Sequence, residues 1–240
     1  QAAHAGQLAD LLDRATGLRH DHAEDRVHVE LAVARVVAQL AQHVFADALA
    51  CVPELGGAVQ LHAWSVASNL LAQNFTAIRP DEKWGADISY VWTREGWLYL
   101  AVVIDLFARR VVGWATGDRL HRGLALKALR KALATRQPAS GLIHHSDRGS
   151  QYCSIEYQAL LRKHGIQISM SGKGNCYDNA MVETFFKTLK SELVWRTVFD
   201  TRAEADMAIG GYIDRFYNPA RRHSALDFRS PVQYEMMAMN

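Results

Sequence analysis

The order of elements written in residues 64–240 predicts an α/β protein, a mixed five-stranded sheet flanked by helices on both faces. Three observations carry that expectation. Two runs rich in β-branched and aromatic residues are joined by a tight Arg94-Glu95-Gly96 link. Helix-period segments then alternate with short apolar runs. Finally, 240 residues at 49% hydrophobic and 22% charged are enough to bury a full core, which excludes a disordered chain.

Trp84–Thr93 and Trp97–Asp105 are the two arms of the hairpin, and Arg109–Thr116 follows after another short turn. The opening unit is therefore a three-stranded antiparallel meander. Leu124, Leu126, Ala128, Leu129, Ala132 and Leu133 predict a helix that ends before Pro138. Leu142–Ser146 reads as a short buried strand, Tyr152–His164 as a helix stopped by Gly165, and Gln167–Met170 as a last strand. Ser171–Asn175 is a glycine-rich loop, helices are expected over about Asn179–Trp195 and Arg202–Tyr217, and a basic tail closes the chain.

The composition changes before Trp64. Residues 1–63 carry four Arg and no Lys against eight acids, a net −4, while residues 64–240 carry +6. The basic half is the side on which to seek a polyanionic partner. Residues 1–63 also lack Asn, Ile, Met, Tyr and Ser, and Ala fills fifteen of their positions. Two readings stand: a helical arm or disordered extension, or GC-rich DNA translated in a non-native frame. The first rests on Val29, Val33, Val36, Val37, Leu40 and Val44, which give one apolar face over about Glu24–Ala50. The six histidines of this stretch have no cysteine pair at zinc-finger spacing. Cys51, Cys153 and Cys176 are odd in number and widely spaced, so neither a disulfide framework nor a zinc knuckle is indicated. No apolar run approaches the roughly 20 residues that span a bilayer. With no signal-peptide pattern after Gln1, the expected location is the cytoplasm and Gln1 reads as a fragment boundary.

Three acids stand out. Asp87 lies in the first strand among residues expected to be buried, Asp147 ends the strand of His144-His-Ser-Asp147, and Glu183 sits in the helix after the glycine-rich loop. At 100° per residue Glu183, Lys187 and Lys190 share one stripe, beside the apolar stripe of Val182, Phe186, Leu189 and Leu193. Three carboxylates from two strands and a helix repel one another unless cations intervene. Hard divalent ions with oxygen ligands resolve the conflict, and two of them are suited to phosphodiester chemistry. Taken one by one, each acid has a duller reading as a hydrogen-bonded or solvated group. Asp105 competes for the role, and Asp178 reads as a helix cap.

Spacing and order join these residues to a known family. Asp147 and Glu183 are separated by 35 residues, the spacing of the D,D(35)E core of retroviral integrases and many bacterial transposases. The chain closely resembles the OrfB transposases of the insertion sequence 3 family. The likeness is carried by Trp84-Gly-Ala-Asp-Ile-Ser-Tyr90, Gly96–Phe107 with Val111-Val-Gly-Trp114, His145–Tyr152, and Ser171–Ala180 running into Glu183–Lys190. Tyr217–Leu226 followed by Ser230-Pro231 is similar to the family's ending.

The resemblance implies an RNase H-like fold, a catalytic and metal-binding triad at Asp87, Asp147 and Glu183, and two Mg²⁺ or Mn²⁺ ions. It also implies DNA cleavage and strand transfer by in-line attack of a 3′-hydroxyl, carried out by multimers on paired DNA ends. Lys190 corresponds to the family's basic residue seven places after the glutamate. Lys187, Lys173, Arg148, Arg221 and Arg222 are further expected DNA contacts, with Arg109, Arg110 and His223 beside them. Such transposases carry basic helix-turn-helix segments before the core, and acidic residues 1–63 do not resemble one. Two alternatives therefore remain open: a non-transposing remnant that binds DNA or its full-length relative, and a structure-specific nuclease on the same fold.

Overall fold

A computed structural model describes residues 66–172 and 176–238, apart from the side chains of residues 176 and 177. The extension over residues 1–63, its expected helix and Lys173 lie outside the described residues. Five strands form one sheet: β1 (Lys83–Thr93), β2 (Gly96–Asp105), β3 (Arg110–Gly117), β4 (Ile143–Ser146) and β5 (Gln167–Met170), in spatial order β3-β2-β1-β4-β5. The meander β1–β3 is antiparallel, while β4 and β5 join it in parallel, so the sheet is mixed as the sequence predicts.

Helices α1 (Arg122–Arg136) and α2 (Ile155–Lys163) cover one face. Helix α3 (Ala180–Glu192) and helix α4 (Arg202–Gly211) cover the other. Alternation along β1 and β2 sorts side chains between the two cores. Trp84, Ala86, Ala101 and Val103 pack toward α1 and α2, whereas Val91, Leu100, Val102 and Ile104 pack toward α3 and α4.

Two glycines set how closely the helices approach. A Cβ at Gly113 would stand 2.3 Å from the Ala128 carbonyl oxygen of α1, and one at Gly85 would stand 2.6 Å from Val182 Cγ2 of α3. Both layers can sit close to the sheet because these positions carry no side chain.

The structure departs from the expected elements in three places. Tyr152 lies in a turn, because Ser154 caps α2 by accepting the Tyr157 N–H and so starts the helix at Ile155. The helix expected to Tyr217 ends its α-helical part at Gly211 and continues as a π-helical turn over Tyr212–Tyr217. The basic tail also contains a short helix, α5 (Pro231–Ala238). Its start is a reciprocal cap: Ser230 N–H donates to Gln233 Oε1 at 3.1 Å, and Gln233 N–H donates to Ser230 Oγ at 3.3 Å. Among the described residues no helix is long and apolar enough to cross a membrane.

Candidate active site

Strand register brings the two aspartates together. β1 and β4 pair in parallel as Lys83 with Ile143, Trp84 with His144 and Gly85 with His145. Two further steps along the same register place Asp87 beside Asp147, at the point where β4 stops after Ser146. The strand stops there because the Asp147 side chain takes over the local hydrogen bonding, with Oδ1 accepting the Gly149 N–H at 2.8 Å. Asp87 does the same on its own strand, where Oδ1 accepts the Ile88 N–H at 2.7 Å.

Electrostatics follow from that neighbourhood. Burial, and next the charge of Asp147, push the Asp87 carboxyl up from an ordinary value of 3.8 to about 8. Glu183 adds a smaller push in the same direction, while the Ile88 N–H and the Lys190 ammonium act against it. Burial also raises Asp147, against the opposing Gly149 N–H. Ionising both acids at once is therefore disfavoured.

Glu183 stands in the first turn of α3, near enough for its charge to act on Asp87. Three features hold that turn in place: the close Gly85–Val182 contact, burial of Val182, Phe185, Phe186 and Leu189, and Asp178 in the turn before the helix. Asp178 Oδ2 accepts from the Gly172 N–H at 2.7 Å and from Asn69 Nδ2 at 2.9 Å. Asn69 belongs to an extended strap laid against β5. Leu70 and Leu71 N–H groups both donate to Ser169 Oγ, and Met170 N–H donates to the Ser68 carbonyl at 3.2 Å. With both lone pairs of Ser169 so used, its hydroxyl proton goes to His145 Nδ1 at 2.8 Å. Asp178, expected as a cap, therefore ties the strap to the loop ahead of α3, and the residue at the N-cap position is Asn179.

Lys190 lies on the same helix, with Nζ 5.1 Å from the Tyr90 ring centroid. Burial lowers its pKa and the nearby Asp87 charge partly restores it. Lys187 and Arg148 are exposed, and Arg148 Nε donates to the Ser171 carbonyl at 2.6 Å. The structure thus gathers Asp87, Asp147, Glu183 and Lys190 in one place. Among the described residues, however, no three His, Cys, Asp or Glu side chains converge closely enough to ligate one ion as they stand.

The basic residues of the tail lie in other surroundings. Arg221 makes a two-pronged ion pair with Glu192 at the end of α3, at 2.6–2.9 Å. Arg110 is paired with Glu235 at 2.9 Å, His223 is buried, and Arg222 is exposed. Asp105, the competing acid, is wholly enclosed and structural: it accepts from the Asp81 and Phe107 N–H groups and faces Arg136.

One residue next to the aspartates escaped the sequence reading. Tyr152 is 2% exposed, and its hydroxyl is buried without a hydrogen-bond partner. Burial raises its pKa well above 10.0; the Tyr157 hydroxyl adds to this, followed by the charges of Asp87 and Asp147. No periodic signal marks such a position, because its role comes from the turn that returns the chain beneath β4.

Comparison with known proteins bears on the fold and the lineage. Two family models described as integrase core domain match residues 77–176 and 164–231. The chain is 49% identical over 167 residues to the transposase for insertion sequence element IS904 of Lactococcus lactis, which covers 70% of this chain and 66% of that protein. It is 48% identical over 174 residues to transposase InsF for insertion sequence IS3A of Escherichia coli, covering 72% and 60%. The chain thus spans less than two thirds of the length of these curated relatives.

Among solved structures, a chain of the simian T-cell lymphotropic virus intasome in complex with PP2A regulatory subunit B56 gamma aligns with TM-score 0.52 at 16% identity, covering 71% of this chain and 59% of that one. The dimeric HTLV-2 integrase catalytic core domain in complex with magnesium aligns with TM-score 0.50 at 16% identity, covering 67% and 99%. These likenesses establish the fold, an RNase H-like integrase core. The sequence matches establish the lineage: the chain belongs to the insertion sequence 3 family of transposases and carries their integrase-like core.

Proposed function

We propose that residues 64–240 are the catalytic core of a DNA transposase that cuts DNA and joins the freed strand to a target, with residues 1–63 an extension to it. The observation that carries this reading is the meeting of three acids: Asp87 on β1, Asp147 just past the end of the parallel neighbour β4, and Glu183 on α3, near enough for their charges to act on Asp87. Oxygen donors crowded in this way fit a hard divalent cation, Mg²⁺ or Mn²⁺, better than any other occupant. The integrase core solved with magnesium has the same fold.

Asp87, Asp147 and Glu183 would hold the metal, and two ions match the reaction proposed. When bound, such ions supply Lewis-acid charge that activates an attacking hydroxyl and stabilises the leaving oxygen of an in-line displacement. The chain's own residues prepare the site. A cation's charge would hold the two aspartates ionised, and Glu183 supplies the third carboxylate from a helix rather than a strand. Lys190, with exposed Lys187 and Arg148, faces the phosphates of the strand, and exposed Arg222 of the tail is a separate backbone contact. Arg221 joins it only by exchanging Glu192 for a phosphate. Transposon-end and target DNA are the partners, bound by more than one copy of the chain, and a DNA substrate places the reaction in the cytoplasm.

The test is a strand-cleavage and joining assay on transposon-end DNA with Mg²⁺ or Mn²⁺. Cut and joined products that vanish in Glu183→Gln support the reading. Cut strands without joined ones would replace it with a nuclease, and DNA binding without either product would replace it with a regulatory remnant.

A further inference from the structure

The β1–β2 hairpin extends past the acid site and carries four aromatic rings across two registered pairs, Tyr90 opposite Tyr99 and Trp92 opposite Trp97. Three of the rings, those of Tyr90, Trp92 and Trp97, form one contiguous set. Tyr90 and Trp97 meet edge-on at 4.9 Å between centroids, and Trp92 and Trp97 at 4.8 Å. Yet the set is not sealed into a core, since the Trp92 side of it is half open and the residue is 50% exposed. A tryptophan left in water forfeits much of the area that makes it valuable in a core, so its position calls for a partner.

Two observations say which partner. Lys190 joins the rings to the acid site: its ammonium interacts with Asp87 and stands 5.1 Å from the Tyr90 ring centroid. In addition, β4 pairs with β1 only as far as Gly85, and no other described strand covers that edge of β1 beyond Asp87. The path from the carboxylates to the rings is therefore short. Tyr90 is three residues past Asp87, about 10 Å along the strand and on its opposite face, so a DNA strand passes from one to the other around the uncovered edge of β1, where Lys190 stands, within roughly three nucleotides. Aromatic rings that continue from a cation in this way form a platform for bases, which stack on them whatever their sequence.

We propose that the Tyr90–Trp92–Trp97 face of the hairpin binds unpaired nucleotides at the end of the DNA strand being processed, by stacking bases on exposed Trp92, while Lys190 takes the adjoining phosphate. This rests on the DNA-transposase reading above. It assigns a separate task to the hairpin: favouring ends whose last bases have come apart over ends that remain paired.

Two duplexes test it, identical except that one has three unpaired terminal nucleotides, the last of them 2-aminopurine. Binding is measured on the full chain with divalent metal withheld, so that no strand is cut. The wild type is expected to bind the unpaired end more tightly and to quench the 2-aminopurine. Trp92→Ala should weaken binding of the unpaired end by about tenfold and abolish the quenching, with the paired duplex bound as before. Trp92→Phe should restore both signals. Equal loss on both duplexes, or no loss on either, would overturn the platform and leave this face to the chain's own residues or to a second copy. Wild-type protein that binds neither duplex would overturn the parent reading, and the platform with it.

Discussion

The two halves of the acidic site are built by different means. Asp87 and Asp147 are placed by strand register, two residues beyond a pairing that the sheet itself enforces. Glu183 is placed by a helix whose position depends on a glycine, one buried valine and a hydrogen bond to a strap from the other end of the fold. A register shift would turn a strand's whole apolar set to the wrong face, so Asp87, and the strand end that leads into Asp147, are costly to move. A helix packed on side chains can shift or tilt at far lower cost. The site therefore has a fixed half and an adjustable half, which suits a centre whose negative charges repel until cations arrive.

Removing a fixed carboxylate should have the largest effect. Asp147→Asn is expected to lower strand joining by at least about a thousandfold, since several kcal/mol of metal-assisted stabilisation are forfeited. The same substitution class reveals the cost of the pair to the metal-free fold. With Asp87 raised from 3.8 to about 8, its contribution to stability is fully present below about pH 4 and is lost as pH climbs to about 8. Asp87→Asn should flatten that slope and melt higher than the wild type at pH 8. Thermal melts between pH 4 and 8 with metal withheld would check it, and a slope unchanged by the substitution would mean that Asp87 is not the protonated partner.

The contrast between halves also decides how much of the molecule could be read from its sequence. Runs of β-branched and aromatic residues and short apolar stretches between turn signals marked the five strands, and the 35-residue spacing singled out Asp147 and Glu183, because both signals are local or keep a constant separation. Asp87 was legible as an acid amid buried neighbours. Asn69 was not: its partner Asp178 is 109 residues away, and only the folded strap brings them together. Tyr152 read as the first residue of a helix because Ser154, the true cap, lies two residues later. The Ser230-Pro-Val-Gln233 signature of α5 was present but hidden in a stretch that composition marked as a basic tail.

A smaller effect is expected where the adjustable half rests on the sheet. In Gly85→Ala the new Cβ would stand 2.6 Å from Val182 Cγ2, so α3 must lift. Overpacking of this kind costs about 1–3 kcal/mol. Joining activity should fall well before the fold is lost, because Glu183 is the neighbour of Val182. Gly85→Ala combined with Val182→Ala should recover much of the activity, as the smaller side chain makes room. A double variant no better than the single one would show that α3 is held elsewhere.

Asn69→Ala tests the strap more gently. Losing one hydrogen bond to Asp178 is worth about 1 kcal/mol, or roughly fivefold in an equilibrium. Hydrogen exchange should quicken at the first turn of α3 and stay unchanged along the β1–β2 hairpin, with joining reduced several-fold. Equal change in both places would mean that the strap supports the whole sheet rather than the adjustable half.

The smallest effect is expected far from both halves, at α5. Its capping pair Ser230 and Gln233 fixes a helix whose Glu235 is ion-paired with Arg110 of β3 and with Arg136 of α1, which in turn meets Asp81 and buried Asp105. Gln233→Ala removes one side of the cap, about 1 kcal/mol, and should lower the melting temperature by about 2–4 °C. Activity measured below that transition should stay at the wild-type level, because strand register places the aspartates without help from the C-terminal helix. If joining fell by more than the loss of folded protein explains, the buried charges linking α5 to β2 through Asp105 would be part of what positions the site, and the sheet would no longer count as a fixed half on its own.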